Sequence, residues 1–353
     1  MGKKILMSGN EAIAAGALRA GCRFYAGYPI TPQNELIAYM AEHMPGAGGE
    51  FIQAESEVAA INMVFGASAA GARAMTSSSS PGISLKQEGI SYLAGAELPG
   101  VIVNVMRGGP GLGNIAPAQS DYFQATRGGG HGDYRCIVLA PSTVQEAYEL
   151  VQLAFDLSER YRNPALILGD GMLGQMMEPL EVKSKGKGQE SKVKKPWALT
   201  GCKGRPPNII RSIYLAEGAL EKFNLALQKK YKMIEQREQR AETVFLDDAK
   251  IILVAYGIMG RIAMSVVSSL REKGEKIGLI RPVTLWPFPK ETFKGVIGQA
   301  PGVTFLVIEM SYGQMLEDVQ LAVQGRCPVE FLGRSGGGIP TEKEMIAKIQ
   351  RLA

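Results

Sequence analysis

Three stretches combine residues that can do chemistry with spacings that place them at strand ends. In Tyr28-Pro29-Ile30-Thr31-Pro32, two prolines stiffen a loop that opens a helix. Thr31 suits the N-cap and Pro32 the first turn, where a missing N–H is not needed. The same loop could instead offer a hydroxyl and free helix N–H groups to an anion such as a carboxylate. In Gln53-Ala54-Glu55-Ser56-Glu57-Val58-Ala59-Ala60, two acids stand at the start of a helix of small residues. The helix dipole accounts for one acid there without any function. The Ala- and Gly-rich face that follows (Ala59, Ala60, Gly66, Ala67, Ala70) suits something large packing close. The third stretch, residues 107–133, begins Arg107-Gly-Gly-Pro-Gly-Leu-Gly113 and ends Gly-Gly-Gly130-His131-Gly-Asp133. Arg107 directly follows an apolar strand, so its guanidinium could clamp a carboxylate through two parallel N–H bonds or pair with a neighbouring acid. His131 is either a ligand contact or a structural residue of a Gly-rich turn.

Two other Gly-rich turns imitate cofactor motifs. Tyr256-Gly257-Ile258-Met259-Gly260 joins a strand to a helix but lacks the GxGxxG spacing and the acid after the next strand. Gly169-Asp170-Gly171 resembles the start of a thiamine diphosphate metal motif, yet Met-Leu-Gly-Gln-Met-Met-Glu follows, without the asparagines that complete a Mg²⁺ site. It reads as a strand end followed by a turn.

The elements that must position these residues alternate as in a doubly wound α/β fold. Strands are expected at 22–26, 50–53, 73–76, 100–105, 136–140 and 165–168, with helices at 31–43, 55–70, 80–97 and 143–160. Residues 1–182 form one such domain. Residues 183–248 follow as a basic linker and a long helix. Nine Lys or Arg against the single Glu190 in 183–211 make a solvated linker or a partner-docking arm, and 217–242, rich in helix formers, the helix. A second α/β unit fills 249–353, with strands at 251–256, 277–281, 303–308 and 329–332 and helices at 260–273, 290–299 and 317–323.

Composition narrows the function. At 353 residues the chain can bury an ample core, and 46% hydrophobic against 21% charged residues excludes a disordered chain. No apolar run approaches the roughly 20 residues needed to cross a bilayer. Leu6 stands where an N-myristoylation signal needs Ser or Thr, and the opening apolar run is short for a secretory signal, so a cytoplasmic address is expected. The net charge of +5 is modest and concentrated in one segment, which argues against nucleic acid. Cys22, Cys136, Cys202 and Cys327 form no CxxC pair, and His43 and His131 are the two histidines. That spacing argues against a structural zinc or an iron–sulfur cluster held by this chain alone. Difficult redox chemistry must come from a cofactor or another subunit.

Together, the three stretches, Thr76-Ser-Ser-Ser-Ser80-Pro81-Gly82, Lys86-Gln87-Glu88-Gly89 and Arg281-Pro-Val-Thr-Leu-Trp-Pro-Phe-Pro289 resemble the α subunit of 2-oxoacid:ferredoxin oxidoreductases along nearly the whole chain. The resemblance implies a domain that holds the aminopyrimidine ring of thiamine diphosphate, followed by a transketolase C-terminal-like domain. A β subunit would supply the diphosphate and Mg²⁺ site and a [4Fe–4S] cluster, a small ferredoxin-like subunit further clusters, and coenzyme A and ferredoxin would be co-substrates. Glu57 matches the acid that hydrogen-bonds N1′ of the aminopyrimidine and thereby helps generate the reactive ylid. Thr31 and Arg107 match the residues at the substrate's oxo and carboxylate groups. Pro29, Ser80, Pro81 and Gly82 fall at the cofactor, Ile30 and Leu112 at the substrate. Gly109-Pro-Gly-Leu112-Gly113 lacks the Ser-Thr pair of some 2-oxoglutarate enzymes, and together with Gln33-Asn34-Glu35 and the glycines before His131 it looks more like the branched-chain (3-methyl-2-oxobutanoate) enzymes. Three alternatives stand beside that reading: a 2-oxoglutarate enzyme, a non-redox thiamine diphosphate lyase or transferase, and a non-catalytic scaffold subunit.

Overall fold

The computed structural model describes residues 3–182, 194–300 and 302–352. Residues 183–193, with four of the nine basic residues of 183–211, lie outside it. The chain opens with β1 (Lys3–Ser8) and α1 (Gly9–Arg19), where Ser8 and Glu11 close a capping box. There follow β2 (Phe24–Gly27), α2 (Asn34–His43), β3 (Glu50–Gln53), α3 (Glu57–Ala69), β4 (Ala74–Ser78), α4 (Ser80–Gly95) and β5 (Gly100–Met106). Next come α5 (Tyr122–Thr126), β6 (Ile137–Leu139), α6 (Val144–Tyr161), β7 (Pro164–Asp170), α7 (Gly171–Gln175) and β8 (Met177–Val182).

The remainder comprises α8 (Ala219–Arg237), β9 (Ala241–Val244), β10 (Ile251–Val254), α9 (Gly257–Glu272), β11 (Ile277–Pro282) and β12 (Thr284–Trp286). It closes with α10 (Lys290–Gln299), β13 (Thr304–Glu309), α11 (Gln314–Val323), β14 (Val329–Gly333) and α12 (Glu342–Leu352). Of these, β1, α1, α5, α7, β8, β9, β12 and α12 are additions to the elements expected above.

One sheet runs β12-β6-β7-β5-β4-β2-β3, parallel except for β12. Its central strands β5 and β7 are buried at every position, because helices cover both faces of a parallel sheet. The second sheet runs β14-β13-β10-β11-β9, with β9 antiparallel at one edge. β1 and β8 form a separate antiparallel pair. The expected helix at 217–242 ends at Arg237, and its last residues instead enter β9.

The two sheets are tied by more than the connecting chain. β12 leaves the second unit to pair with β6 of the first sheet. Arg281, 4% exposed at its side chain, bonds Glu146 at 2.5 Å and Glu242 at 2.7 Å. Buried Gln119 bonds both strand ends of the second unit: its Nε2 donates to the Tyr256 carbonyl and its Oε1 accepts from Met310 N, both at 3.0 Å. Tyr122 donates to Asp318 at 2.6 Å.

In the described part of the basic segment Lys195 and Trp197 dock on the first domain, while Lys203, Arg205 and Arg211 are exposed. Lys195 pairs with Glu159 at 2.5 Å, the Arg162 guanidinium lies 4.9 Å from the Trp197 ring centroid, and Trp197 is buried. The buried Glu159 carboxylate and the Arg162 guanidinium of the first domain hold Lys195 and Trp197 against it.

Candidate functional site

In the first sheet β2 and β4 are neighbours, but the chain leaves β2 for the edge strand β3 and leaves β4 in the other direction, for β5. Such a reversal opens a crevice beyond the carboxyl ends of the strands, where α/β folds bind ligands. Four connections converge there: residues 28–33 after β2, 54–56 after β3, Ser79 after β4, and Arg107 onward after β5.

The loop after β2 is fixed from below. Tyr25 and Ser77 share a 2.6 Å hydrogen bond, Ser77 donates to Gln33 Oε1 at 2.6 Å, and Gln33 Nε2 reaches the Tyr28 carbonyl at 3.5 Å. Asn10 of α1 donates to the Pro32 carbonyl at 2.8 Å. Thr31 is not the helix cap. The Thr31–Pro32 peptide is cis, Gln33 occupies the N-cap position, and α2 begins at Asn34. The buried Gln33 takes the chain into the helix, which leaves Thr31 in the loop, half-buried. Pro29 is exposed and Ile30 half-buried.

Alternation along β4 sorts its side chains by face. Ser77 joins Tyr25 and Gln33; Thr76 and Ser78 lie on the side of α3 and α4. There Glu57, the first residue of α3 behind its Ser56 cap, is 6% exposed, whereas Glu55 is exposed. The Glu57 carboxylate packs against the backbone of Gly82: a Cβ at Gly82 would fall 2.5 Å from its Oε1 and 2.1 Å from Ser78 Oγ. No described residue hydrogen-bonds that carboxylate. Ser78 and Ser79 are fully buried and their hydroxyls have no partner among the described residues. Buried polar groups are normally satisfied, so this cluster is shaped for something other than the chain itself.

Sequence reasoning missed the group behind this cluster. Lys86 of α4 is fully buried and donates to Thr76 Oγ1 at 2.9 Å, with the Glu57 carbonyl 3.5 Å away. Burial lowers its pKa to about 8, partly offset by the Glu57 charge. The signal was available: Ile83, Lys86, Gln87 and Ile90 fall on one helical face, where a lysine must be buried with the isoleucines.

On the far side, Arg107 is 7% exposed. One of its terminal nitrogens donates to the Thr31 carbonyl at 2.9 Å and the other to the Leu112 carbonyl at 3.3 Å; Nε has no described partner. Arg107 makes no ion pair among the described residues, so the neighbouring-acid reading does not hold in this structure. Ser80 stations the strand end: its hydroxyl accepts from Arg107 N at 3.0 Å and bonds Asp121 at 2.6 Å. Asn104 also donates to Asp121, at 2.9 Å, and burial pushes the Asp121 carboxyl above its usual value. Pro81 starts α4 beside Ser80 and is half-buried.

The glycine loop after Arg107 folds back on itself, with Gly108 N bonded to the Ala116 carbonyl at 2.9 Å. Leu112 at its tip is 81% exposed, so only its carbonyl, held by Arg107, joins the cluster. The rest of the long connection docks on the second unit through Gln119, Tyr122 and Arg127. His131 is exposed; its carbonyl accepts from Ser91 and its ring stands edge-on to Tyr92.

The two imitating turns have structural explanations. Asp170 caps the short helix α7 through Met172 N and Leu173 N, where a plain turn was expected, and burial raises its pKa to about 6. At Gly260 a Cβ would meet Arg281 Cδ at 2.7 Å, so this glycine makes room for the arginine that ties the two units.

Comparison with known proteins agrees with this architecture. Residues 15–245 match the family described as pyruvate flavodoxin/ferredoxin oxidoreductase, thiamine diphosphate-binding, and residues 249–345 match pyruvate:ferredoxin oxidoreductase core domain II. The chain is 50% identical over 99% of its length to ketoisovalerate oxidoreductase subunit VorB of Methanothermobacter marburgensis, covering 97% of that protein. It is 39% identical over 89% of its length to 2-oxoglutarate synthase subunit KorA of Archaeoglobus fulgidus, covering 90% of that protein. Among solved structures, 2-oxoglutarate:ferredoxin oxidoreductase from Magnetococcus marinus superposes with a TM-score of 0.85 at 25% identity over 99% of this chain. The present chain spans 65% of that longer one. A split-gene transketolase shares the fold, at a TM-score of 0.59 and 13% identity, over 98% of this chain and 97% of that one.

Proposed function

Because the chain belongs to the 2-oxoacid:ferredoxin oxidoreductase family, a family of multi-subunit oxidoreductases, we propose that it holds the aminopyrimidine ring of thiamine diphosphate and the carboxylate of a branched-chain 2-oxoacid. The observation that carries this reading is the buried Glu57 carboxylate, seated on Gly82 at the reversal of the sheet and hydrogen-bonded by no described residue. When bound, the cofactor supplies the carbon that adds to the oxo group and stores the electrons left after CO₂ departs. Glu57 holds a proton at N1′ of the ring. The hydroxyls of Ser78 and Ser79, with Pro81 and Gly82, line the cradle, and Pro29 and Ser80 hold its rim. Arg107 presents its free Nε–H to the substrate carboxylate, and Thr31 its hydroxyl to the oxo group. Ile30 offers apolar surface to an isopropyl group, and Leu112, whose side chain stands clear of the cluster, takes part through the carbonyl that Arg107 holds.

In the overall reaction, one 2-oxoacid and coenzyme A give acyl-CoA and CO₂, and two electrons pass to ferredoxin. Diphosphate, Mg²⁺ and [4Fe–4S] clusters fall to a β subunit and a small ferredoxin-like subunit. Retention of Glu57, Thr31 and Arg107 favours a working subunit over a scaffold. We place the division of labour at residue 249, with 1–182 holding the ring, 183–248 as connection and 249–353 as a transketolase C-terminal-like support, in a cytoplasmic complex. No helix among the described residues is long and apolar enough to cross a membrane.

The test is coenzyme A-dependent viologen reduction by the anaerobically purified complex with 3-methyl-2-oxobutanoate, 2-oxoglutarate and pyruvate in parallel. The branched acid is expected to lead in kcat/KM by about tenfold or more. Preference for 2-oxoglutarate would overturn the substrate assignment, and undiminished turnover by Glu57→Gln would overturn the cofactor assignment.

A further inference from the structure

A buried lysine needs a reason. Removing an ammonium from water costs several kcal/mol unless charge and hydrogen bonds compensate, and an apolar side chain of similar volume is often as good or better for stability. Lys86 is fully buried on the inner face of α4, yet has one close hydrogen-bond partner, Thr76 Oγ1 at 2.9 Å. Its Nζ lies 3.5 Å from the carbonyl of Glu57, over the first turn of α3, and Glu57 is the charged group that faces it. The two charged groups do not touch, since no ion pair joins them. The ammonium therefore sits behind the carboxylate and leaves its oxygens free on the Gly82 side.

That arrangement matters for where a shared proton rests. A carboxylate moved out of water tends to take up a proton, and a nearby positive charge opposes that tendency. We propose that Lys86 is a positioning residue for Glu57: its buried positive charge, set behind the carboxylate, favours the proton shared with a bound aminopyrimidine resting on the ring nitrogen and not on the carboxyl group. The inference rests on the assignment of Glu57 to that ring. Thr76 from β4 and Glu57 from α3 are the polar and charged groups that face Lys86 among the described residues. Loss of the Lys86 proton near pH 8 would remove the effect, because the lysine would then be neutral.

The experiment uses the assembled complex loaded with thiamine diphosphate carrying ¹⁵N at N1′, followed by solid-state ¹⁵N spectroscopy from pH 6.5 to 9.5. In the wild type the ring nitrogen is expected to be protonated at pH 7 and to lose its proton across about pH 8. Lys86→Met should lower the ratio of protonated to neutral ring nitrogen at pH 7 by about tenfold or more, one pKa unit or above. Its melting temperature should stay at or above the wild-type value, and Lys86→Arg should restore the protonated signal. If Lys86→Met leaves ratio and pH profile unchanged while Glu57→Gln abolishes the protonated signal, the role of Lys86 is refuted and that of Glu57 survives. If Glu57→Gln also leaves the signal intact, both fall. Should Lys86→Met not fold, a wild-type spectrum that does not change across the pH range refutes the inference on its own.

Discussion

Gly82→Ala isolates the geometry of the site from the stability of the fold. Gly82 has ordinary helical φ, so alanine is conformationally acceptable and gains about 1 kcal/mol of helix propensity. Its methyl, however, would lie 2.1 Å from Ser78 Oγ and 2.5 Å from Glu57 Oε1, against an ordinary contact distance of 3.4 Å or more. The Ser78 hydroxyl can rotate away. The Glu57 carboxylate, anchored at the first turn of α3, must shift by about 1 Å, a displacement that typically costs on the order of 100-fold in rate. Overpacking costs about 1–3 kcal/mol, so the helix gain offsets much of it. The expected result is therefore a melting temperature within a few degrees of wild type, together with a fall in oxoacid-dependent viologen reduction of about 100-fold. Calorimetric titration with thiamine diphosphate should show weaker binding in parallel. Wild-type turnover in a folded Gly82→Ala complex would refute the placement of the reacting ring against Glu57 and Gly82.

Three further outcomes follow from groups described above. Arg107→Lys removes the fork that spans the Thr31 and Leu112 carbonyls, and kcat/KM for the oxoacid should fall about 10- to 100-fold, from the roughly 1.5–3 kcal/mol of a charge-assisted bond; an unchanged KM and kcat would exclude it from carboxylate binding. Asp170 has a raised folded pKa, about 6 against an unfolded 3.8, so its contribution to stability is fully present below about pH 4 and is lost as pH rises through 6. Melting temperature should accordingly fall from pH 5 to 7 more steeply in the wild type than in Asp170→Asn, and parallel curves would count against the assignment. Arg73→Met strips the buried Glu159 and the carbonyl of Ala20 of a common partner, and chemical denaturation should show a loss of about 3–5 kcal/mol; a loss below about 1 kcal/mol would mean that Lys195 alone satisfies Glu159.

Much of the fold was readable because parallel strands buried on both faces stand out as continuous apolar runs. The strand at 50–53 and the helix at 290–299 fell where expected, and the other expected strands shifted by a residue or two. What escaped was short or decided by distant partners. β12 is three residues long and takes its place from β6, more than 140 residues earlier in the chain, which no local pattern reveals. The amphipathic α12 lay beyond the last strand sought, and β1 gains its meaning only from β8. At the site, the resemblance singled out Glu57 over Glu55, and in the structure Glu57 is buried and Glu55 exposed; Arg107, read as following an apolar strand, stands at the end of β5 and is buried. Of the two readings of Thr31 only the cap fails, because the capping rule could not foresee that Ser77 and Tyr25 would hold Gln33 at the helix start. Leu112 was expected near a pocket, yet glycines on both sides let it stand out from the chain.

The strand that crosses from one unit to the other also constrains how the protein is made. Until Trp286 has emerged from the ribosome, the edge of β6 has no neighbour, and unpaired edges invite association between nascent chains. The first sheet is complete only after β10 and β11, the core of the second sheet, have been synthesised. The last strand of the first sheet is thus made before β13 and β14 of the second, and the buried Arg281, just ahead of the crossing strand, pairs with Glu146 of the first unit and Glu242 of the second.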